Sequence, residues 1–525
     1  MARQFLNTLE DPIVQTKAGK LRGFLLDGIY TFHGIQYADA DRFQLPHPVA
    51  PWDDVRDATN YGYICPVHAN PAPSSELFIP HRFWPANEHC QYLNVWTPGL
   101  DGRKRPVMVW FHGGGFSDGS SIEQVAYEGD ALAAYGDVVV VTVNHRLNIL
   151  GFLDMSSFGE KYANSVNAGA ADIVASLEWV RDNIAAFGGD PGNVTIFGQS
   201  GGGRKVKTLM NIPAAEGLFH RAIMMSGGVR PDPDKTTNAD HRQLVEKMLE
   251  ILKIPVDRVE ELETVPYELL NRAFFRASEG QVLPNMRWGP VANDWYLGDP
   301  FKVGFSEYAK TVPTMVGTVM AEFTAMAKPE QYALSEAEQE AVVRAHFGDA
   351  SDELIAQFHQ AYPGKPLINL DRLDTSTRLG ATRFVDLKVA ASSAPTYQYL
   401  FALNFDIMDG VPAWHCADIP FVFHNTHRVA CCNIPGVTQK LEDEMAGAWV
   451  SFAYSGNPNH AGLSKWKPVT DKHETMIFDR ESLCRSNYDL PLLRRMDEVC
   501  PPKSADEILM DNMKKDGKQE NSWMY

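Results

Sequence analysis

Residues 194–204 read VTIFGQSGGGR, a β-branched apolar run that passes straight into a serine set among glycines. No other stretch limits the fold so tightly. Gly198-Gln199-Ser200-Gly201-Gly202, with a strand before it and a helix after it, satisfies the Gly-x-Ser-x-Gly pattern in the context that pattern requires. That context is a sharp strand-to-helix turn that lifts one hydroxyl above the edge of an α/β sheet. Side chains two residues either side of the serine would strike neighbouring backbone, and glycine at 198 and 202 removes them. The N–H of Gly201 then lies at a helix N-terminus, where no intrahelical acceptor claims it and a developing oxyanion can. Gly203 has no task in this reading beyond close packing. The competing reading is a plain glycine-rich turn.

A second stretch weighs against that competitor. FHGGGFSDGS (111–120) follows the apolar run PVMVWF (106–111). A His-Gly-Gly-Gly run after a strand is the loop that supplies further oxyanion donors in esterases and lipases, because N–H groups without a neighbouring Cβ can approach the substrate. A phosphate-binding loop is the other use of such glycines. Neither of its glycine signatures occurs at either place.

The rest of the chain agrees on the fold class. DVVVVTV (137–143), AIMMSG (222–227) and TVPTMVG (311–317) read as strands buried on both faces, as in a mostly parallel sheet. AADIVASLEWVRDNIAAF (170–187) carries Ile173, Leu177, Val180, Ile184 and Phe187 on one helical stripe, and GGDPGN (188–193) stops it. Further helices are expected near 239–252, 335–347 and 438–455. Strand alternating with helix is the α/β signature: a large, mostly parallel central sheet flanked by helices. No Pro/Gly/Ser-rich linker divides the 525 residues, so one domain over 1–525 with long insertions is expected, the polar tail from about 503 to 525 loosely held.

A net charge of -18 argues against nucleic acid as a partner, because phosphate binding needs a basic face. No window approaches about 18 uninterrupted apolar residues, and the first residues lack an apolar stretch of signal-peptide length, so no membrane association is expected. The seven cysteines are odd in number and not in zinc-ligand spacing. A reducing cytoplasm and no metal are the expectations.

Many quoted motifs, in register from about residue 12 to 500, resemble the type B carboxylesterase/cholinesterase family of α/β-hydrolases: GKLRGF, FHGIQYA, CQYLNVWTP, WFHGGGF, VNHRLNILGFL, GLFHRAIMMSGG and FAYSGNPN, besides the elbow itself. The resemblance implies Ser200 as nucleophile and Gly114, Gly115 and Gly201 as oxyanion-hole donors. It also implies Glu322 in GTVMAEF (317–323) as the acid and His415 in PAWHCADIPFVF (412–423) as the base. The residues alone do not single out Glu322 among 66 acidic side chains, nor His415 among 16 histidines. Ser226 matches a serine close to the triad, with a strand-end turn as the equal alternative. Cys65 and Cys90 match the family's first disulfide; whether the bond forms depends on the compartment, and a reducing cytoplasm disfavours it. Cys416, beside His415, is read as packing.

Two positions depart from the family pattern. Gln199 stands where relatives often carry Glu, which removes a negative charge near the substrate's alcohol side and leaves a neutral substrate-binding group. Gly201 stands where they often carry Ala. The implied activity is a serine carboxylesterase working through an acyl-enzyme on small esters, without a cofactor. A hydrolase of one particular natural or drug ester or amide, or a non-catalytic adhesion-type member, are the alternatives.

Overall fold

The computed structural model describes residues 4–67, 79–231, 238–278 and 288–501; the expected loose tail lies outside them. Its centre is a 12-stranded sheet. In chain order the strands are β1 Phe5–Leu6, β2 Phe24–Leu26, β3 Ile29–Gln36, β4 Tyr92–Thr97, β5 Arg105–Phe111, β6 Val139–Val143, β7 Gly189–Gln199, β8 Arg221–Met225, β9 Thr314–Val319, β10 Thr396–Phe401, β11 Glu474–Phe478 and β12 Leu483–Ser486. They lie in the order β1-β2-β3-β4-β6-β5-β7-β8-β9-β10-β11-β12. From β6 to β11 every neighbouring pair is parallel, and antiparallel strands close both edges. A separate small sheet joins Ile13–Gln15, Lys20–Arg22 and Val55–Asp57.

The continuous apolar runs become strands with no solvent face. In β5, Val107, Val109 and Phe111 enter the core on one side of the sheet, and Met108 and Trp110 enter the core on the other. Alternate residues of a strand point to opposite faces, so a strand covered twice must be apolar throughout. Helix α1, Ala168–Asn183, packs against the Val109 side through the expected stripe: Ile173, Leu177 and Val180, with Ile184 and Phe187 on the 3-10 turn that follows, all belong to that core. Each such side chain contributes roughly 1.5–3 kcal/mol by burial. Gly188 ends the turn in the left-handed conformation, φ 75°. The next strand starts earlier than the sequence suggests. β7 begins at Gly189, because its backbone pairs with Arg105 before a register shift and resumes at Val194 opposite Val107. The three further helices form as expected: Asn238–Leu252, Glu336–Phe347 and Thr438–Ser455. The second starts at a capping box in which Ser335 and Glu338 satisfy each other's backbone N–H groups.

The carboxyl ends of β5, β7, β8 and β9 therefore sit side by side. This is the edge where open α/β sheets place their ligands.

Candidate active site

β7 delivers Ser200 to that edge, and helix α2, Gly201–Leu209, starts at the next residue. Ser200 has φ 56° and ψ -119°, a conformation in which an L side chain stores about 1–3 kcal/mol. The surroundings impose it. The Ser200 N–H donates to Met225 O at 2.8 Å, continuing the β7–β8 ladder, while the Ser200 carbonyl already accepts from Arg204 N, the first bond of the helix. The chain must reverse within one residue. It can do so because a Cβ on Gly202 would lie 1.9 Å from Phe111 O, a contact only glycine avoids. Ser200 itself keeps part of its surface open.

The glycine loop after β5 lies directly against this turn. Gly114 and Gly115 have φ 76° and 64°. A Cβ on Gly201 would stand 2.3 Å from Gly115 N, so the start of α2 and the loop touch backbone to backbone. Gly114 O accepts from Ser117 N (3.1 Å) and Asp118 N (2.9 Å), which fixes the turn that carries both glycines. Gly201 is the first helical residue, so its N–H has no intrahelical acceptor.

Glu322 and His415, separated by 93 positions, are brought together. Glu322 lies three residues beyond the end of β9, and its Oε1 accepts from Val319 N at 3.1 Å. Its Oε2 is 2.6 Å from His415 Nδ1, and Glu322 O accepts from His415 N at 2.7 Å. Both residues are buried. A carboxylate on Nδ1 places the ring hydrogen there and leaves Nε2 as the basic nitrogen. The ring is packed by Gln199, whose Nε2 is 3.3 Å from His415 Nε2, and by Phe323, whose ring centroid is 4.2 Å from that of the imidazole. Phe323 is nonetheless 65% exposed, an aromatic surface beside the histidine.

Gln199 has no exposed surface at all. Its amide oxygen accepts from the Cys416 thiol at 3.1 Å and its nitrogen leans on the imidazole, so the side chain supports His415 from within the protein. Cys416 packs there with φ 76°. Ser226 is buried at the end of β8 with φ 47°, and its N–H donates to Gly317 O. Cys65 and Cys90 are buried free thiols.

Sequence reasoning missed Asp418, three residues after His415. It is fully buried; Tyr399 donates its hydroxyl to Asp418 Oδ2 at 2.8 Å. Burial, helped by the charge of Glu322, pushes its carboxyl up to about 7. Asp374, whose carboxyl is raised for the same two reasons, is a second carboxyl near Glu322. The signal for Asp418 was present in PAWHCADIPFVF, but an acidic residue there carries no mark of burial. Among the described residues no group of three or more His, Cys, Asp or Glu could hold a metal, and no helix is long and apolar enough to cross a membrane.

Comparison with known proteins follows the same line. The family model described as the carboxylesterase family matches residues 10–489. The para-nitrobenzyl esterase of Bacillus subtilis (strain 168) is 33% identical over 479 residues, covering 89% of this chain and 95% of that protein. Carboxylesterase 3 of Homo sapiens is 31% identical, covering 87% of this chain and 85% of that protein. Among solved structures, an esterase from Clostridium hathewayi, described as hydrolysing aliphatic aromatic polyesters, superposes with a TM-score of 0.90 at 49% identity, covering 95% of this chain and all of that one.

Proposed function

The chain belongs to the carboxylesterase family and is a carboxylic ester hydrolase of the α/β-hydrolase fold, and on that premise we propose that Ser200, His415 and Glu322 carry the reaction. Ser200 Oγ attacks the ester carbonyl as His415 Nε2 takes its proton. The tetrahedral oxyanion sits among the N–H groups of Gly114, Gly115 and Gly201. Glu322 holds the ring hydrogen on Nδ1 and stabilises the imidazolium. His415 returns the proton to the departing alcohol. Water then enters, gives a proton to Nε2 and attacks the acyl-enzyme, and the acid leaves as Ser200 recovers its hydrogen. The observation that carries the reading is the 2.6 Å contact of His415 Nδ1 with Glu322, joined to the elbow by Gln199, which touches the imidazole and immediately precedes a serine held at φ 56°.

The substrate is a small ester, and Phe323 favours aromatic groups on it, since a ring exposed next to His415 offers a stacking face. The Clostridium hathewayi esterase, described as hydrolysing aliphatic aromatic polyesters, is consistent with an ester that carries such a group. One catalytic domain in a cytoplasmic setting completes the reading, supported by cysteines that are few and odd in number. Ser200→Ala is the test. It is expected to abolish turnover of a p-nitrophenyl ester and its pre-steady-state burst while leaving thermal unfolding unchanged; a variant that keeps a tenth of the wild-type turnover refutes the assignment.

A further inference from the structure

Lys205, five residues beyond Ser200 on α2, has no exposed surface. Its Nζ donates to the backbone carbonyl of His112 at 2.8 Å. A lysine side chain is rarely buried in full, and a charge out of water is costly unless the site uses it. The carbonyl it reaches is the one before the glycine loop.

Three consecutive carbonyls of that loop are pinned. His112 O accepts from Lys205. Gly113 O accepts from His112 Nδ1 at 3.0 Å, which sets the hydrogen of this imidazole on Nδ1. Gly114 O accepts from the N–H groups of Ser117 and Asp118. In a planar trans peptide each C=O faces opposite to the N–H of the following residue. Holding the three carbonyls therefore aims the N–H groups of Gly113, Gly114 and Gly115 in turn. Two of the three anchors come from the loop itself. The anchor on His112 O comes from α2, the helix that begins at the nucleophile, so it ties the height of the loop to the position of Ser200.

The geometry points to Lys205 as a positioning residue for ester hydrolysis: its side-chain nitrogen clamps the first peptide of the glycine loop to the nucleophile helix and so keeps the oxyanion donors in register with Ser200. This rests on the assignment of Ser200 and the loop glycines given above. Burial brings the Lys205 amine down to about 7, against the pull of the Glu123 carboxylate and with a further push from Arg204. The Cys65 thiol also faces it. His112 and His145, stacked 5.3 Å apart, are held neutral by their own burial and by the charge of Lys205. Neutral or charged, the amine still donates to His112 O, so the clamp persists across the neutral range.

Lys205→Met keeps the unbranched apolar stem as far as Cε and removes the donor. Three readouts decide. The kcat for a p-nitrophenyl ester is expected to fall about tenfold to a hundredfold with KM within about threefold, the size of loss that a misplacement near 1 Å produces. The affinity of a trifluoromethyl ketone should fall by the same factor. Ser200 Oγ adds to that carbonyl, its proton passes to His415, and the resulting hemiketal oxygen depends on the loop donors. A fluorophosphonate should still modify the variant once, at Ser200, given time. Where Lys205→Met does not fold, the same readouts are taken on Lys205→Gln, which falls one bond short of His112 O. A kcat within threefold of wild type overturns the proposal. So does a lower kcat with unchanged ketone affinity, which marks a role unrelated to the oxyanion. Failure of the fluorophosphonate to label the wild-type protein at Ser200 overturns the underlying catalytic reading, and with it this one.

Discussion

Gly201→Ala is the perturbation whose size the structure sets most directly. The added methyl carbon would stand 2.3 Å from Gly115 N, 2.4 Å from Gly115 O and 2.5 Å from Gly115 Cα. All three are backbone atoms, so no flexible side chain can swing aside. Relief to an ordinary carbon contact, about 3.5 Å, requires the loop and the start of α2 to part by about 1 Å. Oxyanion donors act only near 2.7–3.1 Å from the oxygen they serve, and a 1 Å misplacement costs about a hundredfold in rate. Losing one such donor outright costs about 10²–10³ in kcat, roughly 2.7–4 kcal/mol. Helix stability shifts the other way, since alanine is a better helix former than glycine by up to about 1 kcal/mol. Relatives often carry Ala at this position, so the cost is one set by this chain's own close approach of loop to helix: the expected variant unfolds within a few degrees of wild type but turns over a p-nitrophenyl ester about a hundred times more slowly, with KM little changed. Steady-state kinetics beside a thermal melt measure both. A kcat within threefold of wild type would show that the loop does not rest on Gly201, and the packing argument for the oxyanion hole would be wrong.

Glu322→Gln should lower kcat by about 10⁴, because the amide no longer fixes the ring hydrogen on Nδ1; a loss within threefold, read in the same assay, means another carboxylate serves His415. Phe323→Ala should raise KM for a benzoate ester relative to a butyrate ester by about two- to tenfold, the range of an aromatic pair worth 0.5–1.5 kcal/mol, with unfolding unaffected because the ring is exposed; equal KM changes for the two esters refute the stacking role. A choline ester should be preferred over its uncharged isostere by less than tenfold in kcat/KM at physiological salt, since Gln199 is neutral and buried and the net charge of -18 is screened over a Debye length of about 8 Å. Asp418, pushed up to about 7 by burial, keeps its proton in the fold at pH values where the unfolded chain has released it. Its contribution to stability is therefore lost progressively as pH rises from the ordinary carboxylate value to about 7. Asp418→Asn should flatten the fall in melting temperature between pH 5 and 8, and an unchanged slope contradicts the buried, protonated carboxyl.

The parts of this molecule that could be read from the chain are those whose meaning is local. PVMVWF and DVVVVTV announce strands covered on both faces, and the stripe from Ile173 to Phe187 faces one core. The elbow is contiguous, so Ser200 could be placed with its strand, its helix and its glycines. Other elements depend on distant partners. β10, TYQYLF, is wholly buried yet carries Thr396 and Gln398; the Gln398 amide meets Thr382 from the helix Thr375–Ala391, which no local pattern reveals. Glu322 and His415 come together only when the end of β9 meets the 412–423 segment, and the residues themselves do not mark that meeting. Nothing local marks Lys205 and Lys207, directly after the elbow, as buried, yet the structure buries both. Gln199 was expected on the alcohol side of the substrate, and the fold turns it inward onto His415 and Cys416. The residue type was informative about charge but silent about direction.

The central claim is that one hydroxyl, on Ser200, becomes the acyl carrier. It is tested most directly by treating the protein with a fluorophosphonate, measuring its intact mass and mapping the modified peptide. The account predicts a single adduct per chain, on Ser200, with ester hydrolysis lost in proportion to labelling. An adduct on Cys416 or any other residue, or full labelling with hydrolysis retained, would contradict it.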